Sequence, residues 1–426
     1  MRLSALLKHT QTNNPLGLYL HIPWCPTRCI YCDFNTYVDG EPELKSRYQQ
    51  ALNHEIQTAG MALNRPRLDT IFIGGGTPTT LPPAQLIELV EMVKTVFHLQ
   101  PQAEITVEAN PGTLAVDYLF ELRRGGINRL SLGVQSFNDA ELQFLSRLHT
   151  AEMARRAVAV ARQAGFDNIS LDLIFNLPEQ DLSAWQFNLQ EALKLEPDHL
   201  SLYSLIVEPG TPLHRQVSQG QIPWPDDDIA ADMYAYALEA LAVAGYSHYE
   251  ISNWAKARGE ADWTTPALAS AHNLIYWRNQ PYLGLGAGAY GTVTLPTELN
   301  LPTGVTLSPA TWRWMNVKRP QHYIERIEVG RALGAACEEK TLELIDPKTA
   351  MAEHMLLGLR LVREGVSAVE FEARFGVSLQ EQFAAAVAVG LERGLTEWIE
   401  SPVGPRLRLT RPGRFLANQA VVPFME

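Results

Sequence analysis

The sequence predicts an α/β fold: a partial (βα)6 barrel of TIM-like shape, followed by a mainly helical, winged-helix-like C-terminal domain. Three observations predict it. From residue 17 to about residue 254, short aliphatic runs alternate with helix-length stretches, the order a parallel sheet with helical crossovers requires. Polar and glycine-rich features follow those runs, at the end of the sheet where such folds keep their chemistry. After Pro320 the chain turns helical and closes on a hairpin signal.

The strand candidates are residues 18–22, 70–73, 104–108, 129–134, 168–175 and 200–207, each rich in β-branched or aliphatic side chains. Helix-length stretches lie between and after them, at 42–63, 83–97, 116–124, 151–164, 182–195 and 227–244. Asp226, Asp227 and Asp228 suit the N-terminus of the last helix, and Gly125, Gly165 and Gly245 sit where helices should stop. Six such units make an open or partial barrel rather than a closed eightfold one. Residues 255–318, rich in Gly, Pro, Thr and Ala, read as a connecting region of loops and short strands. Residues 319–426 read as the C-terminal domain, with helices at 349–362, 368–375 and 379–393, then a hairpin from 395–400 to 406–409. Residues 1–16 form an N-terminal extension.

Composition narrows the function classes. The 426 residues suffice for more than one core. The formal net charge of −12 argues against a nucleic-acid partner, and the helix at 379–393 has few basic residues. The N-terminus has no signal-peptide apolar region, and no apolar run is long enough to span a bilayer. A cytoplasmic protein is the expectation; peripheral membrane contact and a homodimer stay open.

The densest chemistry is in residues 17–37, which hold Cys25, Cys29 and Cys32 in a C-x3-C-x2-C spacing. Three thiolates that close in sequence can reach one face of a cubane iron–sulfur cluster and leave its fourth iron open. Structural zinc would want a fourth ligand, and His21 is the only histidine nearby. A disulfide would leave one thiol over. Cys337 lies far off in sequence and reads as a structural thiol.

The cysteine string resembles the CxxxCxxC signature of the radical S-adenosylmethionine (SAM) superfamily. Its flanks, YLHIPWC ending at Cys25 and YCDF from Tyr31, look like the coproporphyrinogen oxidase-like branch. The resemblance implies a [4Fe-4S] cluster on Cys25, Cys29 and Cys32, with SAM on the open iron. It also implies the SAM contacts. Gly75, Gly76 and Thr77 stand in GGGTP, Glu108 in VEANP, Gln135 in LGVQSF and Arg147 in FLSRLH. Taken alone, three glycines read as a turn, Glu108 as a solvated strand-end acid and Arg147 as a surface cation. Asp172, an acid inside the apolar strand LDLIFNLP, needs a partner whatever its role. Tyr19 and Tyr31 flank the cysteines, and Tyr31 suits packing against adenine or the cluster.

HNLIYW, starting at His272, resembles the HNxxYW motif of the heme chaperone (HemW) branch, where the histidine is the expected heme contact. Where the oxidase carries a further cysteine, this chain has Phe34, which offers no thiol. The resemblance therefore implies a heme chaperone that passes heme to heme-accepting proteins, with [4Fe-4S], SAM and heme as its groups. The alternative is an oxygen-independent coproporphyrinogen III oxidase, converting propionates to vinyls by radical SAM decarboxylation.

Overall fold

The computed structural model describes residues 16–38, 40–295, 298–300, 306–307, 310–330 and 332–425. The N-terminal extension up to residue 15 lies outside them. Six parallel strands build the barrel wall: β1 (Gly17–Ile22), β2 (Arg67–Gly75), β3 (His98–Ala109), β4 (Arg129–Gln135), β5 (Ile169–Phe175) and β6 (His199–Ser204). Helices follow each: α1 (Pro42–Ala62), α2 (Pro83–Val96), α3 (Val116–Arg124), α4 (Ala151–Gln163), α5 (Leu182–Lys194) and α6 (Asp227–Val243). Caps match the local sequence. Thr150 accepts from Met153 N, Asp181 from Ala184 N, and Asp226 from Asp228 N and Ile229 N.

Strand alternation separates two environments. Outward residues such as Leu18, Leu20, Ile71, Ile73, Leu130, Leu132, Leu171 and Leu200 are buried beneath the helices and form the main apolar core. The inward face is polar instead. Tyr19, Thr70, Phe72, Glu104, Thr106, Glu108, Arg129, Ser131, Ser170, Asp172, His199 and Ser201 occupy alternate positions on these strands. The barrel interior is therefore a polar column.

The sheet extends past the six barrel strands on both sides, and the glycine- and proline-rich region supplies part of the extension. Beside β6, β7 (Tyr246–Glu250) and β8 (Asn253–Lys256) extend the sheet antiparallel. On the far side, β9 (Tyr282–Leu285) pairs parallel with β1, and β10 (Tyr290–Leu295), β11 (Ala310–Met315) and β12 (Glu343–Leu344) continue outward. The result is one 12-stranded sheet in the order β12-β11-β10-β9-β1-β2-β3-β4-β5-β6-β8-β7. Gly284 makes this possible, since a Cβ there would stand 1.8 Å from Tyr290 O. The buried Glu55 of α1 fastens this extension. It accepts from Gly286 N at 2.8 Å, Asn316 Nδ2 at 2.8 Å and Tyr323 Oη at 2.7 Å, the last from helix α8 (Pro320–Gly330).

The C-terminal domain has its own core of Met355, Leu359, Phe371, Leu379, Leu407, Leu409 and Phe424. Helix α9 (Pro347–Gly358), β13 (Val366–Ser367), α10 (Ala368–Phe375), α11 (Ala384–Glu392) and the hairpin β14 (Thr396–Ser401)–β15 (Gly404–Leu409) follow a winged-helix order. The single helix expected at 379–393 is broken at Phe383, whose ring packs against Phe371 and Phe424 at 5.9 and 5.3 Å between centroids. No helix of the described residues is long and apolar enough to cross a membrane.

Candidate functional site

A cavity of about 380 Å³ opens at the C-terminal ends of β1–β6. Cys25, Cys29 and Cys32 line one wall with Tyr31 and Phe34; Gly75, Gly76 and Thr77 follow from β2, Glu108 and Asn110 from β3. Gln135 follows from β4, Asp172 from β5 and Tyr203 from β6, with Arg147 beside them.

The local backbone explains these placements. Gly75 has φ +113° and a Cβ there would meet the His21 ring at 2.4 Å, while a Cβ on Gly76 would stand 2.5 Å from Trp24 O. Only glycine lets β2 pass so close beneath the cysteine loop, and the chain is then a cradle with no side chain in the way. Gly75 N donates to Glu108 Oε2 at 2.9 Å, fixing that carboxylate oxygen. Gln135 has φ +67° at a register irregularity between Gly133 and Leu173's partner, a bulge that re-aims its side chain into the cavity.

Two of the three thiols have a neighbour suited to sulfur. Thr77 Oγ1 lies 3.6 Å from Cys25 Sγ, and Arg147 Nη1 donates to Cys29 Sγ at 3.4 Å. Arg147 also donates from Nη2 to Gly133 O at 2.7 Å, and its buried Nε has no hydrogen-bond partner among the described residues. Burial pushes the Cys25 thiol up to about 11, against the pull of Thr77, and raises Cys32 as well. Metal binding here must displace protons. Among the described residues no three His, Cys, Asp or Glu side chains converge on a single ion. A cubane instead takes each thiolate on a separate iron, so this donor set fits a cluster.

The acids sit deeper. Asp172 accepts from Ser131 Oγ at 3.2 and 3.1 Å and from Ser170 Oγ at 3.4 Å. Burial raises its carboxyl; Arg129 and the serines oppose. Burial likewise brings Glu108 to about 7. Such acids favour a ligand carrying positive charge.

Two expected residues stand apart from the cavity. Tyr19 lies inside the barrel below it, its hydroxyl 2.9 Å from His21 Nδ1 and its ring stacked on Phe72. His272 starts helix α7 (Ala271–Trp277), is 1% exposed, and has both ring nitrogens engaged. Nδ1 lies 2.8 Å from Thr70 Oγ1 and Nε2 2.9 Å from Tyr276 Oη. Thr70 pairs with Gly17 at the start of β1, so α7 closes the barrel end opposite the cysteines. Both His272 ring nitrogens are thus hydrogen-bonded within the protein in this conformation. Arg278 pairs with Glu364 at 2.6 Å.

The sequence reading missed Ser131, Asn110, Tyr203, Ser204, Ile206, Glu208 and Leu148, all lining the cavity. Ser131 was signalled by its register, two residues before Gly133 and four before Gln135 on one strand. Leu148 and Ile206 are 64% and 67% exposed, as Phe34 is at 61%, and give the mouth an apolar rim that no periodicity marks.

The comparisons agree with this geometry. The model of the radical SAM superfamily matches residues 19–187, and that of the HemN C-terminal domain matches residues 345–416. The heme chaperone HemW of Bacillus subtilis (strain 168) is 38% identical over 412 residues, covering 96% of this chain and 98% of its own length. The HemW of Mycobacterium tuberculosis (strain ATCC 25618 / H37Rv) is 36% identical over 409 residues, 96% of this chain and 94% of that one. Among solved structures, coproporphyrinogen III oxidase (HemN) from Escherichia coli, titled a radical SAM enzyme, superposes with a TM-score of 0.78 over 99% of this chain and 92% of that one. At 22% identity that likeness shows the fold.

Proposed function

Starting from a chain that belongs to the HemW heme chaperone family, within the HemN-like radical SAM proteins, we propose that it binds heme and passes it to heme-accepting proteins while carrying a [4Fe-4S] cluster and SAM. Cys25, Cys29 and Cys32 would hold the cluster. Gly75, Gly76, Thr77, Glu108, Gln135, Arg147 and Asp172 would hold SAM, with Tyr31 against the adenine or the cluster. The group's chemistry, when bound, is electron delivery from cluster to SAM. The residues around it orient the ligand, balance its charge and, through Thr77 and Arg147, favour the Cys25 thiolate that burial opposes.

The observation that carries the carrier reading over the oxidase is Phe34. It is exposed at the cavity mouth, where the oxidase resemblance would put a thiol. Heme contact at the HNxxYW segment requires His272 to exchange its Tyr276 partner for iron, so binding there goes with an opening of α7. The discriminating assay supplies coproporphyrinogen III, SAM and reductant without oxygen, and hemin separately. Hemin binding without vinyl product is expected; vinyl product would return the oxidase reading.

A further inference from the structure

Arg129 is 2% exposed, points into the barrel, and has a buried Nε with no hydrogen-bond partner among the described residues. Among the described residues its ion-pair partner is Glu104, and the gap of 3.8 Å between Nε and Oε2 is too long for a hydrogen bond. Its position on the ladder is informative. Arg129 pairs with Thr106, between Glu104 below and Glu108 above on the same face of β3. Two residues up its own strand, Ser131 holds the Asp172 carboxylate. The Arg129 charge pulls down the carboxyls of both Asp172 and Glu108. One buried guanidinium therefore serves three acids, two on the cavity side and one below, and a single cation in a low dielectric cannot satisfy all three.

The acid below is committed elsewhere. Glu104 Oε2 accepts from Ala271 N and Oε1 from His272 N, both at 3.0 Å, so this one carboxylate caps helix α7. The other end of α7 meets the C-terminal domain, where Arg278 pairs with Glu364 at 2.6 Å and the Arg360 guanidinium lies 4.4 Å over the Trp277 ring. A column of neighbouring side chains thus leads from the cavity acids, past Arg129 and Glu104, to the HNxxYW segment and the second domain.

We infer that Arg129 is a positioning residue that couples occupancy of the cavity to the closure of α7. The inference rests on the reading of the cavity as a SAM site. A ligand bearing sulfonium and ammonium charge satisfies Glu108 and Asp172 and leaves Arg129 to Glu104. The 3.8 Å gap closes, Glu104 is held harder under the α7 amides, and the segment stays shut. By linkage, whatever opens α7 weakens the hold on SAM by the same factor. SAM and a heme that needs His272 would then oppose each other.

The test uses the full chain with its cluster reconstituted anaerobically. Hydrogen–deuterium exchange is followed in the peptide spanning residues 268–278, with and without saturating SAM; SAM binding is measured in parallel. In the wild type SAM should slow exchange there by about threefold or more. Glu104→Gln keeps an oxygen for one amide but gives Arg129 no charge to meet. It should bind SAM within about threefold of wild type yet lose the SAM-dependent slowing. Arg129→Lys should restore part of what Arg129→Met loses. Unchanged or faster exchange in wild type that binds SAM would overturn the coupling and leave the cofactor reading intact. Slowing retained in Glu104→Gln would overturn the route. Absence of SAM binding in the wild type would defeat the cofactor reading, and the coupling with it.

Discussion

Replacing Glu108 by Gln should make the ligand-free chain more stable and the SAM complex weaker. Glu108 is partly exposed, but to the cavity rather than to bulk water. Burial lifts its carboxyl from 4.5 to about 7; the Gly75 amide opposes, Asp172 adds and Arg129 opposes. Because the folded chain holds this proton more tightly than the unfolded one, its stabilising contribution is complete below pH 4.5 and is lost as pH rises to about 7. That span corresponds to up to about 3 kcal/mol. Gln keeps an oxygen for the Gly75 amide and carries no charge, so it avoids the loss. Its advantage over wild type should grow from under about 1 kcal/mol at pH 5 to about 3 kcal/mol at pH 8. Thermal unfolding of both proteins without ligand, over that pH range, measures it as a Tm difference of several degrees at the alkaline end. The same substitution removes a charged acceptor facing the ligand and should weaken SAM about 10- to 100-fold. A Tm difference that is absent at pH 8, or flat with pH, would refute the reasoning about this acid.

Three further outcomes follow from named contacts. Glu55→Ala leaves Gly286 N, Asn316 Nδ2 and Tyr323 Oη buried without their acceptor. It should cost roughly 3–5 kcal/mol by denaturant unfolding, with proteolysis first appearing in the segment from β9 to α8. Gly75→Ala forces a Cβ toward His21 in a conformation that L-residues rarely adopt. It should cost about 1–3 kcal/mol and at least tenfold in SAM affinity by equilibrium dialysis. Cys25→Ser, Cys29→Ser and Cys32→Ser should each abolish the visible absorption of the reconstituted cluster while leaving the far-UV circular dichroism unchanged.

Much of the barrel was legible because its helices impose an apolar side on every strand. Ile71 and Ile73, or Leu171 and Leu173, must face α-helices whatever the function, so aliphatic runs located the six strands. The cysteine, glycine and acidic features were legible for a related reason: strand ends in a parallel sheet all open on one side. The opposite face of those strands was read only at Tyr19, Glu108 and Asp172. Glu104, Arg129, Ser170 and His199 sit between apolar neighbours that dominate any window average, and only the paired register brings them into one column. Beyond β9 the sequence showed loops with short strands but not their place in the barrel sheet, since Gly284 reads as a loop residue until Tyr290 packs on it. The partners of His272 were also not legible in the motif. The string HNLIYW places a histidine and a tyrosine four residues apart on a helix, and there they bond to each other.

The most direct test of the central claim is an anaerobic hemin titration of the cluster-loaded chain beside His272→Ala, followed by the heme absorption band. The account predicts saturable one-to-one binding by the wild type, and binding at least about tenfold weaker in the variant. Equal binding by both would keep the carrier and move heme away from α7. No specific binding by either would contradict the chaperone reading itself.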